Sequence, residues 1–240
     1  MSDLDRPSLK VAETFYSLQG EGPTCGQRAV FLRLSGCVLL CKWCDTVEVW
    51  KTGRRHTVEE LTGRLGDEGL LKALFEDHAH LVVTGGDPLI QQAGLKLLFR
   101  HWNELCYPGP HPFTEVETEG VLQPCSELAV WINQWNVSPK LANSGMPLLR
   151  RFNPKVLAWH VEQQNSWFKF PVASLSDVAE AIDLSNHAGI PRDRILFMPV
   201  CASRREFEER AAEVAKWALQ CAVRFSPRLH LTIWDQATGV

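Results

Sequence analysis

Ala29-Val30-Phe31-Leu32-Arg33-Leu34-Ser35-Gly36-Cys37-Val38-Leu39-Leu40-Cys41-Lys42-Trp43-Cys44 reads as an apolar strand that delivers the chain to a loop of three thiols. The thiols have the spacing C-x3-C-x2-C. Three thiolates on one short loop can hold three irons of a cubane cluster and leave the fourth iron open to an outside ligand. A cluster used only for electron transfer normally closes with four cysteines. Structural zinc is the competing reading, but it takes four ligands. His56 is the candidate fourth, yet it lies far past Cys44 and has no partner at matching spacing.

Outward from this stretch, short apolar runs alternate with helical patterns. Strands are predicted at 29–34, 80–83, 113–117, 130–137, 167–170, 195–200 and 228–234. Thr57-Val58-Glu59-Glu60 and Ser203-Arg204-Arg205-Glu206 read as capping boxes that open helices. A helix is expected over 91–106, broken by Pro108-Gly109-Pro110-His111-Pro112. Another starts at Ser174 or Ser176 and is closed by Gly189 and Pro191. Phe207, Ala211, Val214, Ala218 and Cys221 form an apolar stripe at helical spacing and are assigned to the core. Alternating strands and helices imply an α/β fold with a mostly parallel sheet and right-handed crossovers. The expectation is a single domain over 1–240, an incomplete, partial β/α barrel of about six strand-helix units. In a barrel, sites gather at the C-terminal strand ends. Cys37, Thr84, Glu117, Ser138 and Met198 fall at or just past predicted ends.

The 240 residues, 45% hydrophobic and 22% charged, have the balance of an ordinary soluble domain. A net charge of −3, from 25 basic and 28 acidic residues, argues against a sequence-independent grip on nucleic acid. No apolar run approaches a membrane span. The opening Met1-Ser2-Asp3-Leu4-Asp5-Arg6-Pro7 lacks the features of a secretory signal, so a cytoplasmic location is expected. In a reducing cytosol the eight cysteines are thiols or metal ligands rather than disulfides. Cys25, Cys106, Cys125, Cys201 and Cys221 are scattered.

The cysteine loop resembles that of the radical S-adenosylmethionine superfamily. There the amino and carboxylate groups of S-adenosylmethionine bind the open iron of a 4Fe-4S cluster, and reductive cleavage gives a radical that takes a hydrogen atom from substrate. Thr84-Gly85-Gly86-Asp87-Pro88 matches the superfamily's second motif, with Asp87 where Glu is commoner. Glycines at a strand end let the backbone approach a ligand. Trp43 matches the aromatic position beside the adenine; from the residue alone it reads equally as core.

Ser17-Leu18-Gln19-Gly20-Glu21-Gly22, Phe31 through Cys37, Cys44-Asp45-Thr46, Glu117-Thr118-Glu119-Gly120, Val137-Ser138-Pro139-Lys140 and the ending from Leu229-His230 to Gly239-Val240 together resemble the 7-carboxy-7-deazaguanine synthase family over nearly the whole chain. That family converts 6-carboxy-5,6,7,8-tetrahydropterin to 7-carboxy-7-deazaguanine with loss of ammonia, on the route to queuosine and other 7-deazapurines, and reuses its S-adenosylmethionine. By this resemblance Cys37, Cys41 and Cys44 hold the cluster. Trp43, Cys44, Asp45, Gly86, Ser138, Pro139, Lys140, Met198, Pro199, Val200 and Cys201 contact S-adenosylmethionine. Leu18, Gln19, Gly20 and Thr84 line the pterin, Arg33 pairs with its carboxylate, and Val240 folds back over it from a tail that closes the pocket. Thr46 becomes a magnesium ligand. Read alone, Thr46 is a turn hydrogen bond; a surface charge is the competing reading of Arg33, and a solvated charge that of Lys140. A flavodoxin-type reductant and a homodimer are also implied.

Asp87, Glu119 (where a neutral side chain is more usual) and Cys201 depart from the family pattern. Two rivals stand at this point. A glycyl-radical activating enzyme shares the cysteine spacing and acts on a protein. A non-enzymatic metal or electron-transfer protein would need a fourth metal ligand.

Overall fold

The computed structural model describes residues 8–105, 110–237 and 239–240. Strands β1 (Ser8–Leu18), β2 (Arg28–Leu34), β3 (Arg54–Thr57), β4 (His80–Gly85), β5 (Thr114–Thr118), β6 (Gln134–Val137), β7 (Ser166–Val172), β8 (Ile195–Pro199) and β9 (Arg224–Phe225) form one sheet. Its order is β3-β1-β2-β4-β5-β6-β7-β8-β9. From β2 to β9 every pairing is parallel. β1 runs antiparallel to both of its neighbours. Among the described residues no pairing joins β3 to β9, so the sheet is open rather than a closed ring. The chain is an α/β domain built on a large, mostly parallel sheet.

The helices are α1 (Val47–Lys51), α2 (Val58–Asp67), α3 (Leu70–Phe75), α4 (Gln92–Glu104), α5 (Ser126–Ala129), α6 (Leu148–Arg151), α7 (Pro154–Glu162), α8 (Leu175–Ala188), α9 (Arg204–Gln220) and α10 (Leu229–Trp234). Thr57 and Glu60 close the expected box at the start of α2. Ser174 caps α8, and Gly189, at φ 70°, ends it in the left-handed region that favours glycine. Strand alternation then decides where the site lies. Leu32 and Leu34, Val83, Val116, Trp135 and Val137, and Phe168 and Phe170 join the large core shared with the helices. The residues between them, Arg33, Thr84, Glu117, Asn136 and Lys169, line a pocket on the other face. A period of two puts successive side chains on opposite faces, so the same strands build an apolar core and a polar site.

Several expectations change. Residues 228–234 form α10, not a strand. β9 has already taken the sheet edge, and Ser226-Pro227 turns the chain off it before the Arg228 carbonyl accepts from Leu231 and Thr232. The strand expected over 130–137 begins only at Gln134. Val130, 77% exposed, caps a short helix instead. At α9 the Ser203 side chain accepts from the Glu206 amide. Glu206 reaches back to the Ala202 amide, one residue beyond the cap, so the box is displaced. Phe207 and Ala211 on that helix and Cys221 at its C-terminal cap are half-buried, and Trp217 joins Val214 and Ala218 inside. Cys106 and the loop residues Pro108 and Gly109 lie outside the described residues.

One core histidine ties stability to pH. His160 on α7 is fully buried between Trp135 and Trp159, with ring centroids 5.3 and 4.9 Å away. Burial pushes its pKa down to about 3. The folded protein keeps it neutral, while the unfolded chain takes a proton below about 6.5. Its contribution is therefore complete above that pH and is lost as pH falls toward 3, by about 1.4 kcal/mol per pH unit. Urea unfolding at pH 7 and pH 5 should show a drop for the native sequence that is smaller by roughly 2 kcal/mol in His160→Gln. Equal drops in the two proteins would contradict this assignment.

Candidate active site

The pocket has a volume of about 390 Å³ and opens at the C-terminal ends of the parallel strands. The β2 end leads into the cysteine loop. Gly85 ends β4, Gly86 follows it, and Asp87 locks that end to its neighbours. The Asp87 amide donates to the Gly36 carbonyl at 2.8 Å. Its carboxylate accepts from the Leu89 amide at 2.9 Å, the Thr118 hydroxyl at 2.9 Å and the Glu119 amide at 3.2 Å. The shorter carboxylate at this position is thus committed to protein contacts. A Cβ on Gly86 would collide with the Gly36 carbonyl and the Cys37 Cβ, so only glycine lets this strand end lie against the cysteine loop.

Cys37, Cys41 and Cys44 all line the pocket. Cys37 donates to Glu119 Oε1 at 2.7 Å. Burial and the Glu119 carboxyl raise the Cys37 thiol well above its ordinary value. Burial and Asp87 in turn push Glu119 up to about 7. Glu119 Oε2 is buried without a hydrogen-bond partner among the described residues. No three His, Cys, Asp or Glu side chains among the described residues converge on one ion. Thiolates that bind different irons of a cubane do not need to. Three thiols on one wall, a glycine backbone beside Cys37 and an orphaned buried oxygen fit a cluster with a polar ligand next to it.

On the next wall, Lys140 Nζ donates to Ser138 Oγ at 2.8 Å and stands 5.8 Å from the Trp43 ring centroid. The Trp43 indole donates to Asn143 at 3.1 Å. Met198, Pro199, Val200 and Cys201 line the pocket where β8 ends. On the opposite side Gln19, 2% exposed, accepts from the Glu21 amide at 3.2 Å. Thr84 donates to Glu117 at 2.7 Å. Arg33 Nε donates to Glu13 at 2.7 Å, with the arginine side chain 16% exposed. Leu18, Gly20, Asp45, Thr46 and Val240 complete the expected set, and Thr46 Oγ1 lies 3.8 Å from Cys44 Sγ. Every expected site residue lines this pocket except Pro139, which is buried between Ser138 and Lys140.

Sequence reasoning missed a charge network that is buried except at its Asp45 end. Glu21 accepts from Lys169 and from Arg228, and Arg228 also donates to Asp45. The two cations hold the Glu21 carboxyl far below the usual carboxylate range against the opposing effect of burial. Glu21 was visible inside the Gln19 motif, and Lys169 stood as a lone charge in an apolar strand. Arg228 carried no signal, because its segment reads as a strand. His230 packs so tightly on Gly20 that a Cβ there would strike its ring.

Comparison with known proteins agrees with this geometry. Residues 18–118 match the family described as 4Fe-4S single cluster domain. The chain is 37% identical to 7-carboxy-7-deazaguanine synthase of Pyrobaculum aerophilum, over 97% of this chain and 98% of that one. It is 34% identical to the enzyme of that name from Hyperthermus butylicus, over 94% and 92%. To that of Halobacterium salinarum it is 31% identical, over 97% and 93%. The crystal structure of QueE from Escherichia coli superposes with a TM-score of 0.68 at 23% identity, over 96% of this chain and 99% of that one, and shares the fold. With its cysteine loop, glycine strand end and full-length similarity taken together, the chain belongs to the 7-carboxy-7-deazaguanine synthase family.

Proposed function

We infer that this chain is a radical S-adenosylmethionine enzyme that converts 6-carboxy-5,6,7,8-tetrahydropterin to 7-carboxy-7-deazaguanine with loss of ammonia, in the biosynthesis of queuosine and other 7-deazapurines. The observation that carries this reading is a single pocket that gathers the three loop cysteines, the Gly86 strand end, Gln19 and Arg33. Cys37, Cys41 and Cys44 would hold the 4Fe-4S cluster. When bound, the cluster and S-adenosylmethionine supply the radical that takes a hydrogen atom from substrate.

The chain's own groups orient and enclose the ligands. Gly86 offers backbone, and Ser138 with Lys140 offers a hydroxyl and a charge beside the Trp43 ring. Pro139 would contribute through backbone alone. Asp45 and the 198–201 segment face the same ligand. Arg33 is oriented in advance by Glu13 and suits a carboxylate through its planar fork. Leu18, Gln19, Gly20 and Thr84 would line the pterin. Thr46 presents one hydroxyl, so a magnesium ion there would complete its oxygen shell from substrate and water. We also propose a partial-barrel curvature, a single domain over 1–240, a homodimer, a cytoplasmic location and a flavodoxin-type reductant. Among the described residues no helix is long and apolar enough to cross a membrane.

Val240 belongs to this reading as the residue that closes the pocket; it lines the cavity and is 38% exposed. Deleting Gly239 and Val240 should raise KM for the carboxypterin about tenfold, the scale of one lost buried polar partner, with cluster absorbance unchanged. An unchanged KM would show that the tail does not contact substrate. For the function itself, ammonia release should require carboxypterin and S-adenosylmethionine together under reducing anaerobic conditions. Release without either one would count against the assignment.

A further inference from the structure

Arg228 stands between β9 and α10, with its side chain only 10% exposed. Nε donates to Glu21 Oε1 at 2.9 Å. One terminal nitrogen donates to the Cys201 carbonyl and the other to the Asp45 carboxylate. These three acceptors sit on three different walls. Asp45 follows Cys44 in the cysteine loop, and Cys201 follows the β8 end. Glu21 follows Gln19 and Gly20, and its other oxygen is held by Lys169. The backbone around Arg228 is fastened to that same wall: the Leu229 amide donates to the Gly20 carbonyl at 2.8 Å, and the Gly22 amide to Ser226 Oγ at 2.8 Å. None of the roles assigned above uses this guanidinium.

We propose that Arg228 is a positioning residue that couples the cofactor side of the pocket to the substrate side, so that each ligand tightens the binding of the other. The proposal rests on the functional reading above, which places S-adenosylmethionine against Asp45 and Cys201 and the pterin against Gln19 and Gly20. The structure shows the guanidinium holding all three acceptors, and the coupling proposed here requires a second state in which it lets one go. Letting one go leaves a buried charge short of a partner, which is costly. A ligand that fixes the Asp45 and Cys201 walls therefore also fixes Glu21 and the Gln19 wall. Linkage makes the effect reciprocal. Lysine keeps the charge but has no planar fork to span three acceptors at fixed angles.

The test is calorimetric titration of the anaerobically reconstituted full chain with no reductant present, so that nothing turns over. S-adenosylmethionine is titrated with and without saturating 6-carboxytetrahydropterin, and the reverse. The native sequence should show equal mutual tightening of about fivefold or more, and Arg228→Lys should bring that factor close to one. Should Arg228→Lys fail to fold, Glu21→Gln, which weakens one acceptor of the guanidinium and lies outside the assigned ligand contacts, should lower the factor as well. Undiminished tightening in folded Arg228→Lys would overturn the proposal. Native protein that binds both ligands with no mutual effect would overturn it too while leaving the functional reading intact. Native protein that binds neither ligand would overturn both.

Discussion

Replacing Cys37, Cys41 or Cys44 by Ala should each abolish cluster assembly and all turnover. The three thiols share one wall of the pocket, and a three-cysteine cubane has no spare protein ligand to take over a vacated iron. The neighbouring carboxylates cannot substitute readily. Asp87 is engaged by Leu89, Thr118 and Glu119, and Glu119 is buried against Cys37. Cys25, Cys125 and Cys221 are half-buried free thiols that do not line the pocket, so their Ala variants should assemble a full cluster. Iron and sulfide analysis after anaerobic reconstitution separates the two groups. A full complement of iron in Cys41→Ala would remove the basis of the assignment.

Arg33→Lys should bind S-adenosylmethionine normally and lose most of its affinity for the carboxypterin. Glu13 fixes the guanidinium through Nε at 2.7 Å. A fork held in this way can present further N–H groups to a substrate carboxylate, whereas a lysine ammonium engaged by Glu13 is a single point. Losing a charge pair of this partly buried kind typically costs about 2–5 kcal/mol, a fall in affinity of at least about thirtyfold. Titration with substrate in the absence of reductant gives the number directly. Native affinity in the variant would mean that another group holds the carboxylate, with Lys169 the first to examine.

The strands that matter were legible as short apolar runs, two of them interrupted by a single cation. Phe31-Leu32-Arg33-Leu34, His80 to Val83 and Trp167-Phe168-Lys169-Phe170 each put apolar residues on the helix-covered face. Arg33 and Lys169, between those apolar residues, fall into the pocket, whereas on His80 to Val83 the intervening residue is Val82, which packs with Ala29 and Phe31 in a second apolar cluster. The cysteine loop and the Gly85-Gly86 pair were legible because their chemistry is local: spacing alone puts the thiols on one loop, and the Gly86 site admits no Cβ. Arg228 was not legible. Its segment is rich in residues that suit a strand, and only the tertiary fact that β9 already occupies the edge turns Leu229–Trp234 into a helix. The network through Glu21, Lys169 and Asp45 joins residues up to 207 positions apart, and no local pattern marks such a pairing. Edge strand β3 escaped notice because Arg54-Arg55-His56 has no alternation of its own and pairs through backbone with Ser8 to Val11.

The reaction itself is tested by anaerobic turnover of 6-carboxytetrahydropterin by the reconstituted chain with S-adenosylmethionine and a strong reductant, with the products read by mass. The expected product is 7-carboxy-7-deazaguanine, formed over many turnovers for each S-adenosylmethionine supplied, with none when the cofactor is omitted or in Cys41→Ala. Cleavage of S-adenosylmethionine to 5′-deoxyadenosine by a fully clustered protein, with the carboxypterin recovered unchanged, would contradict the assigned reaction.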